Sequence, residues 1–385
     1  MNNIRYIIYY LIILLITSCN KSNTQNNSES NILGGDAYNF EDYYFADSLN
    51  IDKNKEEKIS SINSFFETRQ KRRGFNGTVL YAEKGEILYE KAFGYSNFRK
   101  KEPLDITSSF QLASITKPIT ATAIIMLIER GKLSYEDTIQ KFFPEFPYHN
   151  ITIRNLLTHR SGLPSYMFFA DKVWEDKYGA ISNDDVIRLM TQHYPERYYL
   201  PDVRYNYRNT NYCILASIIE KITGFPYHIF IRSQIFIPLG MDNSSIYNKC
   251  SSPVNNHKVI GYDGRWVSDN TYLNGVVGDK GIYASVYDLL KFDQALYTNK
   301  LINSENTEES YKPAHRDLRI WDNYGYGWRI NASDKNNRII FHSGWWKGFR
   351  TYFVRMIDKH KTLIILSNST RGSYIYNKEL FNLIN

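Results

Sequence analysis

The chain has 385 residues, 43% of them apolar and 23% charged, and 47 Lys and Arg stand against 40 Asp and Glu for a net charge of +7. That length suits two to three domains, or one domain carrying an inserted lobe, and the composition supplies a sizeable core and excludes disorder of the whole chain. The charges are interspersed, with no basic run longer than Lys71 to Arg73, which excludes nucleic acid as a partner. Three cysteines without paired spacing support neither a disulfide framework nor a structural metal.

From Tyr6 to Ile16 the chain is apolar, preceded only by Arg5 and the amino terminus. The stretch is too short to span a bilayer and reads as the apolar part of a signal peptide. Thr17-Ser18-Cys19 follows, and Ile16 to Cys19 resembles the lipobox of bacterial lipoproteins. That resemblance implies a leader over 1–18, a lipid on Cys19 holding the protein to a membrane of the bacterial cell envelope, and a periplasmic domain. Residues 19–54 read as a polar tether, with a short helix expected over Tyr43–Leu49.

The folded domain is expected over 55–385, opening where Ile59, Ile62, Phe65 and Phe66 recur at helical spacing. Gly77–Ala82 and Glu86–Ala92 read as a hairpin turned by Glu83-Lys84-Gly85. Helical patterns follow over Thr116–Arg130 (closed by Gly131), Thr152–His159, Asp184–His193 and Tyr212–Thr223 (closed by Gly224). Strand-like runs return in Tyr326–Ile330, Arg338–His342, Arg350–Met356 and Thr362–Ser367. Strands at both chain ends with helices between them predict an α+β fold: one antiparallel sheet built from both ends, flanked by helices, with a mainly helical lobe inserted at about 112–270. The site is expected between sheet and lobe.

The chain has no Gly-x-Ser-x-Gly elbow, His-Glu-x-x-His pair, P-loop or dinucleotide fingerprint, and its eight histidines show no metal-like pairing. No cofactor and no metal are therefore expected. What remains is Ser114-Ile115-Thr116-Lys117 at the start of the first long helix. Such a pattern is weak alone, since roughly two matches are expected by chance and the chain holds two, the other being Ser18 to Lys21. Its placement distinguishes it. Three residues apart, hydroxyl and amine share a helix face about 5 to 6 Å apart at Cβ, and both burial and the positive end of the helix favour a neutral lysine that can activate the serine. Tyr207-Arg208-Asn209 would set a phenol beside an amide on a loop of the lobe. His342-Ser343-Gly344 would end a strand, with glycine allowing a substrate backbone to lie close.

In this order and spacing the three elements resemble the active-site motifs of penicillin-recognising serine hydrolases, in the branch of class C β-lactamases, DD-peptidases and related esterases. The likeness runs over roughly residues 59–370. It includes Phe75 to Leu80, Gln111 to Lys117, Leu156 to Pro164, Gly278 to Ser285, Tyr324 to Trp328 and Leu366 to Asn368. The resemblance implies the β-lactamase/transpeptidase-like fold, with Ser114 as nucleophile, Lys117 as its base and Tyr207 as the proton shuttle to the leaving group. Asn209 would bind Lys117 or the substrate amide. His342, Ser343, Gly344 and Trp345 would line the substrate, with the amide N–H groups of Ser114 and Trp345 as oxyanion hole, each worth about 3 kcal/mol in the transition state.

His342 stands where many relatives have lysine, and a neutral imidazole offers no fixed cation to a substrate carboxylate. Trp345 and Trp346 stand where small residues are common, and as an aromatic wall would narrow the cleft or receive an apolar group. His159 reads as a helix C-terminal cap, Cys213 as a buried apolar side chain, Asp279 as structural, and most of the tyrosines as surface or lobe packing. The partner expected is a small peptide or ester, possibly derived from the cell wall, cleaved through an acyl-enzyme. A non-catalytic binding module of the same fold and a β-lactamase are the two rival readings.

Overall fold

The computed structural model describes residues 53–247, 259–268, 270–314, 323–331 and 337–385. The leader, Cys19, the expected helix at 43–49, the tether up to residue 52 and Cys250 lie outside the described residues. The first described helix, α1 (Lys53–Arg73), starts two residues before the expected boundary. Ile62 and Phe66 on its apolar stripe are fully buried.

Strands β1 (Gly77–Glu83) and β2 (Glu86–Phe93) form the expected hairpin. Lys84 and Gly85 both take positive φ, 50° and 84°, as a two-residue turn matching the twist of its strands requires. A short strand, β3 (Phe110–Gln111), leads into a 3-10 turn over Ala113–Ile115 and then into α2 (Thr116–Glu129). The lobe continues through α3 (Ile153–Leu157), α4 (Tyr166–Val173), α5 (Asn183–His193) and α6 (Asn209–Thr223). Reciprocal capping boxes at Thr152/Asn155 and Ser182/Asp185 open α3 and α5. The chain then runs through β4 (Ser245–Ile246), β5 (Ile282–Ala284) and α7 (Val286–Tyr297). It closes with β6 (Asn323–Tyr324), β7 (Arg329–Asn331), β8 (Ile339–Trp346), β9 (Phe349–Met356), β10 (Lys361–Ser367) and α8 (Asn377–Ile384).

Seven strands form one antiparallel sheet in the order β6-β7-β8-β9-β10-β1-β2. The two halves of the domain meet where β1 pairs with β10, from Gly77 opposite Ser367 to Glu83 opposite Lys361. Side-chain alternation gives the sheet two apolar faces. Leu80, Ile340, Phe353, Ile364 and Leu366 join the large core shared with the lobe, while Val79, Phe341, Val354 and Ile365 pack with α1 and α8. A smaller sheet, β3-β5-β4, ties the start of α2 to the far end of the lobe. The architecture is the α+β one that the pattern of elements predicted, and it agrees with the β-lactamase/transpeptidase-like fold that the family resemblance implied.

Several elements differ from the sequence reading. Helices α4, α7 and α8 have no counterpart in the sequence pattern; α7 follows Ser285, whose hydroxyl accepts from the Asp288 amide. Tyr326 stands outside any strand, between β6 and β7. His342-Ser343-Gly344 lies inside β8, which runs on to Trp346. Asn209 is the first residue of α6 and not part of a loop. No single helix among the described residues is long and apolar enough to cross a membrane.

Candidate active site

Ser114 sits in the 3-10 turn just before α2, half-exposed, with Lys117 fully buried one turn on. Ala113 before it has φ +50°, a left-handed conformation that a non-glycine residue holds only under constraint from its surroundings. The constraint is visible. Leu112 donates its amide to the Ile282 carbonyl at 2.8 Å, and its own carbonyl accepts from Thr351 Oγ1 at 2.8 Å. A Cβ on Gly344 would lie 2.3 Å from the Leu112 oxygen and 3.0 Å from Ala113 Cβ. Glycine at 344 thus lets β8 press against the turn that carries Ser114.

Lys117 Nζ donates to Ser114 Oγ at 3.1 Å, to Asn209 Oδ1 at 2.8 Å and to the main-chain carbonyl of Asp279 at 2.8 Å. All three acceptors are uncharged. Burial therefore dominates and lowers the lysine to about 7, with the Asp279 carboxylate pulling it up and Arg329 pushing it down. Proline at 118 fits this first helical turn, where amide groups lack intrahelical partners.

The Tyr207 ring lies 5.0 Å from Lys117 Nζ, and the Ser114 hydroxyl is among the groups that act on its phenol. Burial raises the phenol well above its usual range, with Arg329 opposing. It is therefore a protonated donor near neutral pH. Serine, lysine and phenol form one connected set in which the amine can accept the serine proton and the phenol can pass one on.

On the sheet side, His342 is buried, with Nε2 at 3.0 Å from the Tyr324 hydroxyl and Nδ1 at 2.9 Å from the Ser343 carbonyl. Both ring nitrogens are engaged within the protein, and burial holds the imidazole neutral. Gly344 is buried, and Ser343 is half-exposed. The pairing of β7 with β8 ends at Arg329 opposite Phe341. Residues 342–346 consequently have no ladder partner on that side among the described residues, which leaves a strand edge open beside Ser114.

The two tryptophans do not form one wall. Trp346 lies on the lobe side, with Nε1 donating to Asn274 Oδ1 at 3.3 Å and Lys280 Nζ 5.1 Å from its ring. Trp345, 68% exposed, lies instead by Arg350, whose guanidinium also covers Tyr374. Alternation along β8 sends the two rings to opposite faces of the sheet.

Five side chains around the site, Arg329, Tyr324, Lys280, Tyr166 and Tyr212, had no role in the sequence reading. Arg329 lies half-buried with its guanidinium 5.2 Å from the Tyr207 ring centroid, so the site holds a cation although position 342 does not supply one. Tyr324 holds His342. Lys280, buried, reaches Tyr166 Oη at 2.8 Å, the Val276 carbonyl at 3.1 Å and Asp279 Oδ1 at 3.4 Å. Tyr166 in turn donates to Asp279 Oδ2 at 2.8 Å. Tyr166, Tyr212 and Tyr324 are buried around the site. His159 caps no helix with its side chain; it is fully buried against Tyr207, ring centroids 4.2 Å apart. Cys213 is buried, as its apolar helix face suggested. Among the described residues no group of three or more His, Cys, Asp or Glu could hold a metal ion.

Comparison with known proteins agrees with this geometry. The profile of the Beta-lactamase family matches residues 62–380. Penicillin-binding protein 4* of Bacillus subtilis is 40% identical over 330 residues, spanning 82% of this chain and 72% of the relative. A D-aminopeptidase of Cereibacter sphaeroides is 25% identical over 315 residues, 78% of this chain and 58% of the relative. Among solved structures, the octameric penicillin-binding protein homologue from Pyrococcus abyssi superposes with a TM-score of 0.71 at 27% identity, covering 82% of this chain and 74% of that one. With the fold, the Ser114–Lys117 pair and these relatives in agreement, the chain belongs to the β-lactamase family and is a serine hydrolase.

Proposed function

We propose that the protein cleaves a peptide bond to a D-amino acid through an acyl-enzyme on Ser114. The observation that carries this reading is the 3.1 Å contact from Lys117 Nζ to Ser114 Oγ by a lysine whose other contacts are uncharged oxygens. Neutral Lys117 takes the Ser114 proton as Oγ attacks the substrate carbonyl. The resulting oxyanion is received by the amides of Ser114 and Trp345. Collapse breaks the C–N bond, the amine leaves with a proton delivered through Tyr207, and water, deprotonated by the same groups, releases the acid and restores Ser114.

Two features favour peptide over simple ester. The open edge of β8 suits an extended chain lying along residues 342–346. The Arg329 cation beside Tyr207 suits a substrate carboxylate, a group that a D-amino acid at a peptide terminus carries and a plain ester lacks. The D-aminopeptidase among the relatives supports a D-residue at the scissile bond, although an aminopeptidase acts at the amine end of its substrate and so does not bear on the carboxylate. A paired Ser114 and Lys117 speak against a pure binding module, which would not need a lysine held near neutrality. In the cell, the reading places residues 55–385 outside the cytoplasm, held to a membrane of the cell envelope by lipid on Cys19 through the tether 19–54, with 1–18 removed.

The test is intact-protein mass spectrometry after exposure to penicillin, a fluorophosphonate and D-Ala-D-Ala-type esters, with Ser114→Ala in parallel. An adduct that maps to Ser114 and is missing from the variant supports the reading. A folded protein that takes no adduct from any reagent overturns it. For the anchor, metabolic labelling with a fatty acid should mark the wild type and leave Cys19→Ala unlabelled and free of the membrane fraction.

A further inference from the structure

His159 is a buried titratable group for which the chemistry above has no use, and its contacts bracket one residue. The His159 carbonyl accepts from the Asn206 amide at 2.8 Å, and its Nδ1 accepts from the Arg208 amide at 3.2 Å. The residue between those two amides is Tyr207. The imidazole also packs on that tyrosine, with ring centroids 4.2 Å apart and planes tilted by 41°. From the other side Asn211 Nδ2 lies 3.0 Å from the same Nδ1, and Asn211 Oδ1 accepts from Ser161 Oγ at 2.6 Å.

Backbone amides can only donate, so Nδ1 is the unprotonated nitrogen and the ring proton sits on Nε2. Nε2 has no hydrogen-bond partner among the described residues; the rings of Tyr212 and Tyr324, with centroids at 5.2 and 4.7 Å, pack around the imidazole. A second proton on Nδ1 would face both the Arg208 amide and the Asn211 amide group. Residue 159 also takes φ +57°, a strained backbone for a non-glycine residue that brings carbonyl and ring to bear on the same loop.

We propose that His159 is a positioning residue for Tyr207: neutral and buried, it grips the backbone on both sides of the tyrosine and its ring, and so fixes the phenol over Ser114. The proposal rests on the reading of Tyr207 as the proton shuttle. Tyr207 needs such a device because it precedes α6 and gets no helical hydrogen-bond support of its own. Displacement of a reacting group by about 1 Å can cost on the order of 100-fold in rate.

The test is a double-mutant cycle on acylation by an ester reporter, with melting temperatures recorded for every variant. His159→Phe keeps a ring and loses the acceptor; it is expected to lower the acylation rate roughly 10- to 100-fold with KM moved less than about threefold. In a Tyr207→Phe background, where no phenol remains to be placed, the same change should cost less than about twofold. His159→Asn restores an acceptor near Nδ1, tolerates positive φ, and should recover most of the rate. Equal losses in both backgrounds, or no better rate with Asn than with Phe, would overturn the proposal while leaving the Tyr207 reading intact. A silent Tyr207→Phe would overturn both. If His159→Phe does not fold, Asn211→Ala enters the same cycle, with a smaller loss expected only while the Tyr207 phenol is present and an additive loss counting against the proposal.

Discussion

Arg355 and Lys117 are both fully buried among tyrosine rings and carbonyls, yet one stays a fixed cation and the other can lose its proton near neutral pH. Arg355 reaches a carboxylate through Nε to Asp293 Oδ1 and adds the Tyr311 hydroxyl. The Asp293 carboxylate is itself held by Thr362 Oγ1 at 2.8 Å and Gln294 Nε2 at 2.7 Å. Aromatic and carboxylate neighbours raise the guanidinium further, so it stays a cation at every accessible pH. Lys117 meets a hydroxyl, an amide oxygen and a peptide carbonyl, and it settles at about 7. Burial is common to both, so the charge is decided by the greater intrinsic basicity of the guanidinium together with whether a carboxylate oxygen or a neutral oxygen fills the contact shell. One site is a structural pin joining α7 to the sheet. The other has the makings of a base.

Removal of either cation's function should separate the two roles. Lys117→Met is expected to lower the acylation rate by about 1,000-fold or more while the protein stays folded, since general-base assistance contributes roughly 100- to 10,000-fold; stopped-flow burst kinetics would read it. Asp293→Asn should do the reverse. It leaves Arg355 charged without a counter-charge and is expected to cost about 3 to 5 kcal/mol in urea unfolding, with the rate per folded molecule close to wild type. A large rate loss in Asp293→Asn at full stability would break the comparison.

A sharper change converts one environment into the other. Asn209 Oδ1 lies 2.8 Å from Lys117 Nζ, so Asn209→Asp gives the lysine the carboxylate that Arg355 has. In the wild type the neutral amine grows in as pH rises through about 7, and kcat/KM should climb over the same range. A contacting carboxylate favours the charged form, so the climb should move to higher pH by about 1 to 3 units, with a matching loss of rate at pH 7. A profile that loses height without moving along the pH axis would show that Asn209 serves the substrate rather than the charge of Lys117.

The Lys117 half of this contrast was legible in the sequence and the Arg355 half was not, and the reasons differ by residue. Ser114 and Lys117 are three apart at the start of a helix, so their contact follows from local geometry. The two-ended sheet followed from where strand-like runs fall. Arg329, Tyr324 and Lys280 come near Lys117 only through long-range pairing; Tyr324 and Lys280 lie in stretches that carry the family resemblance, but nothing local assigns any of the three a role among 47 basic residues and 32 tyrosines. The Asp279 carbonyl is a main-chain atom and has no sequence signature at all. His159 misled for another reason. A histidine before Ser-Gly at a helix end reads as a local cap, and the backbone does turn left-handed there, but the side chain is spent on a loop about fifty residues further along the chain. Trp345 and Trp346 misled because adjacency in sequence is opposition in a strand.

Residues 279 and 280 carry the smallest expected effect and the most particular sign. Their side chains form a buried pair, 3.4 Å apart, with Tyr166 bound to both. From the position of Lys117 the pair is nearly a dipole, its negative member favouring the protonated amine and its positive member opposing it. Asp279→Asn removes the first influence, so Lys117 should lose its proton more readily and the rising limb of kcat/KM should move to lower pH. Lys280→Met leaves the carboxylate uncompensated, so the limb should move to higher pH. Each shift should stay within about one unit, because a partner charge in direct contact is what produces larger ones. The Asp279 main-chain carbonyl remains in both variants, and so does its bond to Lys117. Opposite displacements of the two limbs would therefore report charge alone. Displacement in the same direction would mean that the pair holds the Gly278–Gly281 turn in shape, and that the carbonyl's position, not the field of the side chains, sets the lysine.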